Sequence, residues 1–210
     1  MIGLERREFL RVCALALVCL GVARRTSVAT VRRAVPRLPT ELELIEMRSD
    51  PLGSRAWFDP IGLFIEPGVT VRWIVRENVH TTTAYHPRNA SHPLRIPERA
   101  QPWDSGFLVH PGNYFDVTFT VPGVYDYYCM PHEGAGMVGR IIVGKPLGPG
   151  TQPFDYWLGN PDAKGWRRVP DPARIAFPSI TRILAERRVH LEQDSRDARV
   201  SPHRPTGSAR

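Results

Sequence analysis

Cys129, His132 and Met137 stand at i, i+3 and i+8 in Tyr127-Tyr128-Cys129-Met130-Pro131-His132-Glu133-Gly134-Ala135-Gly136-Met137. A thiolate, an imidazole and a thioether form a donor set suited to copper. Soft sulfur favours Cu(I), imidazole accepts both oxidation states, and a weak axial methionine completes a trigonal His2Cys site of the electron-transfer kind. One further histidine is required, and His80, His86, His92 and His110 are the candidates. As a bare spacing this would also suit a buried thiol beside a surface histidine. Its placement between two β-rich runs, behind Pro122-Gly123, is what makes it specific.

Something must bring Cys129 to a distant histidine, and the surrounding sequence reads as β-structure. Residues 41–47 alternate polar and apolar and read as an edge strand. Residues 57–65 follow, then Glu66-Pro67-Gly68 as a turn, then residues 69–75, rich in β-branched and aromatic types. Residues 114–121 alternate again, Pro122-Gly123 turns the chain into 124–129, and residues 138–143 close the set. Short strands separated by Pro, Gly, Asn and Asp turns predict an all-β sandwich of two antiparallel sheets with about seven or eight strands, not βαβ units. Between the ligand-bearing segments, residues 86–106 hold four prolines and little periodicity, which predicts a stiff cover over one face of the sandwich.

The run Cys-x-x-His-x-x-x-x-Met, preceded by Val117-Thr118-Phe119-Thr120-Val121-Pro122-Gly123-Val124-Tyr125, resembles the plastocyanin/azurin family of cupredoxins over residues 41–144, about half the chain. The resemblance implies a cupredoxin-like Greek-key β-sandwich holding one type 1 (blue) copper ion, with Cys129, His132 and Met137 among its ligands. The family's first copper histidine follows a Trp-containing strand and a short polar turn, so the carry-over falls on His80. His86, in Tyr85-His86-Pro87, is the competitor. Family members often carry Asn directly after this histidine, where its side chain helps tie the two ligand loops, and here Thr81 stands instead. Asn78, Thr81 and Thr82 are candidates for hydrogen bonding behind the ligands. The implied activity is single-electron transfer between larger redox proteins through transient encounters of a monomer. In the family the electron port is the imidazole edge that corresponds to His132, here flanked by Pro131, Gly134, Ala135 and Gly136.

Two rival functions are weighed against it. A copper enzyme domain would need a second metal site built from His-x-His pairs, and the chain contains none. A periplasmic copper carrier or chaperone would favour Met-rich, exposed Cu(I) ligands. Only four Met occur, with Met130 and Met137 alone near the site. The expectation is therefore a carrier of electrons, not an enzyme.

The N-terminus sets the compartment. Arg6-Arg7 and Phe9-Leu10 precede an apolar stretch of residues 12–23, too short for a membrane span of ~20 residues and laid out as a signal peptide of twin-arginine type over residues 1–29. Cleavage after Ala23 or after Ala29 both fit, and an uncleaved anchor is the alternative. Cys13 and Cys19 fall inside that segment, which leaves Cys129 as the lone thiol of an exported, periplasmic protein. Metal ligation accounts for such a thiol better than packing does.

The net charge of +7 over 210 residues invites a nucleic-acid reading, and its distribution removes it. Residues 1–29 hold five arginines against two glutamates, and residues 145–210 hold twelve basic against seven acidic groups. Residues 30–144 hold eleven against twelve. No basic stripe with interleaved aromatics results. Residues 30–40 read as a linker. Residues 145–192 read as an extension with an aromatic cluster (Phe154, Tyr156, Trp157, Trp166) and a helix that starts at Asp171-Pro172, is kinked or restarted at Pro178 and runs to about residue 192. The extension either packs on the sandwich or forms a docking arm. Residues 193–210 read as a disordered tail.

Overall fold

The computed structural model describes residues 41–191; the signal-like segment 1–29, the linker 30–40 and the tail 193–210 lie outside the described residues. The chain from residue 41 forms a sandwich of two sheets. One contains β1 (Leu42–Ser49), β2 (Ala56–Asp59), β4 (Thr70–Val75) and β6 (Tyr114–Thr118), in the order β2-β1-β4-β6. The other contains β3 (Gly62–Ile65), β5 (Thr83–Ala84), β7 (Gly123–Tyr128), β8 (Val138–Val143) and β9 (Arg188–Val189), in the order β5-β7-β8-β3-β9. The all-β cupredoxin-like sandwich is thus present, with a short helical extension.

Three details differ from the sequence expectation. Residues 57–65 do not form one strand. The chain turns a corner at Asp59-Pro60-Ile61, because proline cannot donate to a ladder, and passes from the first sheet to the second. That corner makes two pairings parallel, β1 with β4 and β3 with β8, in sheets expected to be antiparallel. β1 is also an interior strand, flanked by β2 and β4; its outward Leu42 and Leu44 are exposed while Ile45 and Met47 face the core.

The core between the sheets is aromatic. Trp73 of β4 meets Trp103 at 5.6 Å and Tyr127 at 5.3 Å between ring centroids, and Phe119 and Tyr125 complete the cluster. Trp103 comes from the proline-rich 86–106 segment, which sends Ile96 and Trp103 inward instead of lying over the sandwich as a cover.

β7 and β8 are buried at every position. Their inner faces meet the aromatic core, and their outer faces are covered by the extension. α1 (Asp171–Ala176) and α2 (Ile180–Glu186) are separated by Pro178, whose ring and missing N–H stop a helix from running through. Pro170 occupies the cap position one residue before the expected start, and Ser179 Oγ caps α2 by accepting from Arg182 N–H at 3.1 Å. The helix does not reach residue 192; the chain leaves α2 and pairs as β9 against the open edge of β3. Ile183 sits so close to Gly62 that a Cβ there would meet its Cγ1 at 2.8 Å, so the helix approaches the sheet only because Gly62 has no side chain. Ile183 and Val189 join Val124 and Ile142, while Val169 and Ala173 join Tyr85, Tyr128 and Val138. Each such large apolar side chain contributes about 1.5–3 kcal/mol.

A buried charge cluster fixes the extension in register. The Asp126 carboxylate accepts from Arg95 Nε at 2.7 Å and from Arg140 Nε and Nη2 at 2.7 and 3.0 Å. The remaining guanidinium hydrogens go to extension carbonyls: Arg95 to Gly150 at 3.0 Å and Gln152 at 3.2 Å, Arg140 to Pro178 at 3.0 Å. Removing the carboxylate leaves two buried guanidinium groups without their counter-charge. Asp126→Ala should therefore lower unfolding stability by about 3–5 kcal/mol, read from chemical denaturation of the copper-free protein. A loss below about 1 kcal/mol would show that the cluster does not hold the extension.

Candidate metal centre

His80 leaves β4 through a polar turn and is held by its own backbone: its N–H donates to Leu108 O at 3.2 Å and its carbonyl accepts from Leu108 N–H at 2.9 Å. Its ring is fully buried. Nε2 lies 3.1 Å from Ser49 Oγ at the end of β1, an arrangement that leaves Nδ1 facing the thiol at 3.7 Å from Cys129 Sγ. Cys129 follows β7, and its N–H donates to Met137 O at 3.0 Å. His132 sits in a 3-10 turn, Met130–Ala135, and places Nδ1 3.4 Å from Sγ. One ligand atom each of His80, Cys129 and His132 falls within 4.8 Å of the others, the only such group of three among the described residues.

Met137 is fully buried at the foot of β8, and its N–H donates to His132 O at 3.1 Å, so the turn between the two residues closes on itself. Gly136 makes that closure possible with φ of 87°, a left-handed conformation that side-chain-bearing residues rarely adopt. The competitor His86 lies outside the group; its Nδ1 accepts from Arg88 N–H at 3.1 Å. His110 is exposed, and His92 is buried in contact with Glu133.

Thr81 ties the two ligand segments together. Its N–H points at Cys129 Sγ at 3.3 Å, and its Oγ1 accepts from Met130 N–H at 2.8 Å. The hydroxyl therefore makes the link that the family resemblance would assign to an asparagine. Thr82 works one shell further out, accepting from Trp103 Nε1 at 3.1 Å. Ser49 was not visible as a partner from sequence, since it stands 31 residues from His80 in a strand whose inward face reads as plain core. Glu133 lay in plain view inside the motif, but its burial was not.

Burial pushes the Cys129 thiol up to about 11, against the opposing pull of Thr81 N–H. Burial pushes His80 down to about 4, with the neighbouring His132 ring adding to the effect, and burial lowers His132 as well. At neutral pH both imidazoles are thus neutral with free lone pairs. A copper ion fits this set: two neutral nitrogens and one sulfur converge, and Thr81 N–H is aimed where a thiolate's charge would need it.

The chain matches the model of copper binding proteins of the plastocyanin/azurin family over residues 52–144. It is 34% identical over 112 residues to plastocyanin of Synechococcus sp. (strain JA-2-3B'a(2-13)), a match covering 49% of this chain and 74% of that one. The chain belongs to the plastocyanin/azurin family. Copper is the cofactor of this cupredoxin, whose family is one of copper binding proteins. A shorter match to the chloroplastic plastocyanin of Hordeum vulgare is 60% identical over 37 residues, 18% of this chain and 24% of that one, so the cupredoxin spans about a quarter of that relative's length. A pseudoazurin from Sinorhizobium is 27% identical with a TM-score of 0.44, over 70% of this chain and 96% of that one.

Proton bookkeeping follows from the shifted groups. At neutral pH the thiol, at about 11, is protonated and the histidines are not, so copper uptake must expel the Cys129 proton alone. Between pH 7 and 9 the cupredoxin should release about one proton per copper bound, and its apparent affinity should rise about tenfold per pH unit. Calorimetry in buffers of different ionisation enthalpy measures this directly. Release of two or more protons would mean that a histidine is charged in the copper-free site.

Proposed function

We propose that this cupredoxin is an exported, periplasmic carrier of single electrons between larger redox proteins, with His80, Cys129, His132 and Met137 as the ligands of one type 1 copper. The observation that carries the reading is the asymmetry of the site. Cys129 and His80 are fully buried, whereas His132 is half-buried at the surface, in a shallow hollow with Val79, Phe107 and Pro131. Phe107 is 60% and Met130 44% exposed beside it. An apolar collar around one imidazole edge suits brief docking, since transient electron-transfer encounters bury less than ~1,200 Å² and release quickly.

Bound there, copper would supply the one-electron Cu(I)/Cu(II) couple. The protein's part is to keep one donor arrangement for both states. Ser49 fixes the His80 ring, Thr81 fixes the sulfur, and the closed turn between His132 and Met137 keeps those two residues together. Deep burial of two donors also suits retention of the metal more than its delivery, which favours an electron carrier over a copper carrier or chaperone. Export is supported by the arrangement of residues 1–29; among the described residues no helix is long and apolar enough to cross a membrane.

Two sets of variants test the ligand assignment. Cys129→Ser should abolish the intense blue thiolate band with the fold intact by circular dichroism, and a blue Cys129→Ser protein would end the type 1 reading. Met137→Leu removes a soft donor and should raise the reduction potential, while Met137→Gln supplies oxygen and should lower it. Unchanged potentials in both variants, measured by voltammetry, would remove Met137 from the site and leave it as core packing.

A further inference from the structure

Glu133 follows His132 directly, yet its carboxylate is buried. A carboxylate taken out of water must find partners, and each oxygen of this one has its own. Tyr85 Oη donates to Oε1 at 2.7 Å, and His92 Nε2 lies 3.0 Å from Oε2. The other ring nitrogen of His92, Nδ1, lies 2.8 Å from Asn89 O, an atom that can only accept, so this nitrogen carries a hydrogen and the ring is held at both ends. Tyr128 Oη stands 3.3 Å from the same Nδ1. The rings are stacked together as well: Tyr85 and His92 at 5.2 Å, His92 and Tyr128 at 4.4 Å, Tyr85 and Tyr128 at 4.7 Å between centroids.

One partner, Tyr85, shares a segment with a candidate ligand, and the other, His92, comes from the proline-rich segment and stacks on a residue beside one. Tyr85 ends the short run that begins at His80, and Tyr128 immediately precedes Cys129. Thr81 ties the His80 and Cys129 segments through Sγ and Met130 N–H; Glu133 ties the following turn back to Tyr85 of the His80 segment and to His92 of the proline-rich segment. The turn has few other side-chain holds, because Gly134, Ala135 and Gly136 contribute no polar group. If the position needed only filling, an apolar side chain of similar volume would do so without the desolvation cost of a carboxylate. Two directional hydrogen bonds do more, since they select one orientation of the turn.

We propose that Glu133 is a positioning residue of the copper centre, its clamp by Tyr85 and His92 holding the 130–137 turn so that His132 and Met137 keep a single arrangement in both oxidation states. This rests on the copper reading of the site. Without the clamp the turn relaxes when the metal changes state, and electron exchange slows.

The test uses Glu133→Ala, Glu133→Gln and His92→Phe in the full chain, loaded with copper and also copper-free. His92→Phe keeps an aromatic ring in the same space and carries the test should Glu133→Ala not fold. Expected results are an altered thiolate absorption and copper hyperfine pattern and an electron self-exchange rate about tenfold lower in Glu133→Ala and His92→Phe. Faster amide exchange at 132–137 should appear in the copper-free forms. Glu133→Gln, which can still accept from Tyr85 and donate toward His92 Nε2, should restore the parent behaviour. Parent-like spectra and exchange rates in both Glu133→Ala and His92→Phe, whatever their melting temperatures, overturn the proposal. A parent protein that shows no thiolate band overturns the copper reading itself, which separates the two failures.

Discussion

The centre depends on the contact between two segments that are 49 residues apart, at Thr81 and Met130. Thr81 N–H meets the Cys129 sulfur and Thr81 Oγ1 holds the backbone just beyond it, so the position of His80 relative to the thiol is set by residues that need not touch a metal. Such outer hydrogen bonds orient the ligands and tune their basicity. Buried in a low-dielectric surrounding, each is electrostatically stronger than it would be in water. A short polar side chain suffices because the two backbones already lie close, brought together by the pairing of β5 with β7.

That pairing in turn depends on a sheet that is buried on both faces. β7 carries Tyr125 and Tyr127 toward the aromatic core and Val124, Asp126 and Tyr128 toward the extension, so the strand leading to Cys129 has no solvent face on which to slip. A one-residue slip would exchange the two sets, taking Asp126 away from its two arginines and into the aromatic core. The extension is thus part of what fixes the candidate ligand Cys129. Its first helix packs beside the ligand turn as well, with Pro172 O 3.2 Å from where a Cβ of Gly136 would stand.

Polar groups are placed within this interior in two assemblies, the Arg95–Asp126–Arg140 cluster under the extension and the Tyr85–His92–Glu133 cluster under the ligand turn. In each, directional hydrogen bonds join parts of the chain that apolar packing alone would leave free to slide. The proline-rich segment 86–106 supplies a member to both, Arg95 to one and His92 to the other, and adds Trp103 to the core. Its irregular backbone is therefore a carrier of buried side chains.

The amino-acid sequence by itself determined the local chemistry. The spacing of Cys129, His132 and Met137, the Pro-Gly turn before them and the β-favouring runs on either side are short-range features, and they identified both the sandwich and the metal. Thr81 could be singled out, with Asn78 and Thr82, as a candidate for hydrogen bonding because it adjoins His80, but which of the three makes the link was not legible. Tertiary structure alone decided the long-range matters. His80 could be separated from His86 geometrically only once β4 and β7 lay on facing sheets. Ser49, 31 residues from His80, became its partner because β1 pairs in parallel with β4, which brings the end of β1 beside the turn that carries His80. Residues 188 and 189 read as the end of a helix and became a strand because β3 had an unpaired edge to satisfy. Burial of Glu133 and Asp126 was equally invisible, since a carboxylate in a loop or strand is ordinarily solvated and only its assembled partners make an interior position tolerable.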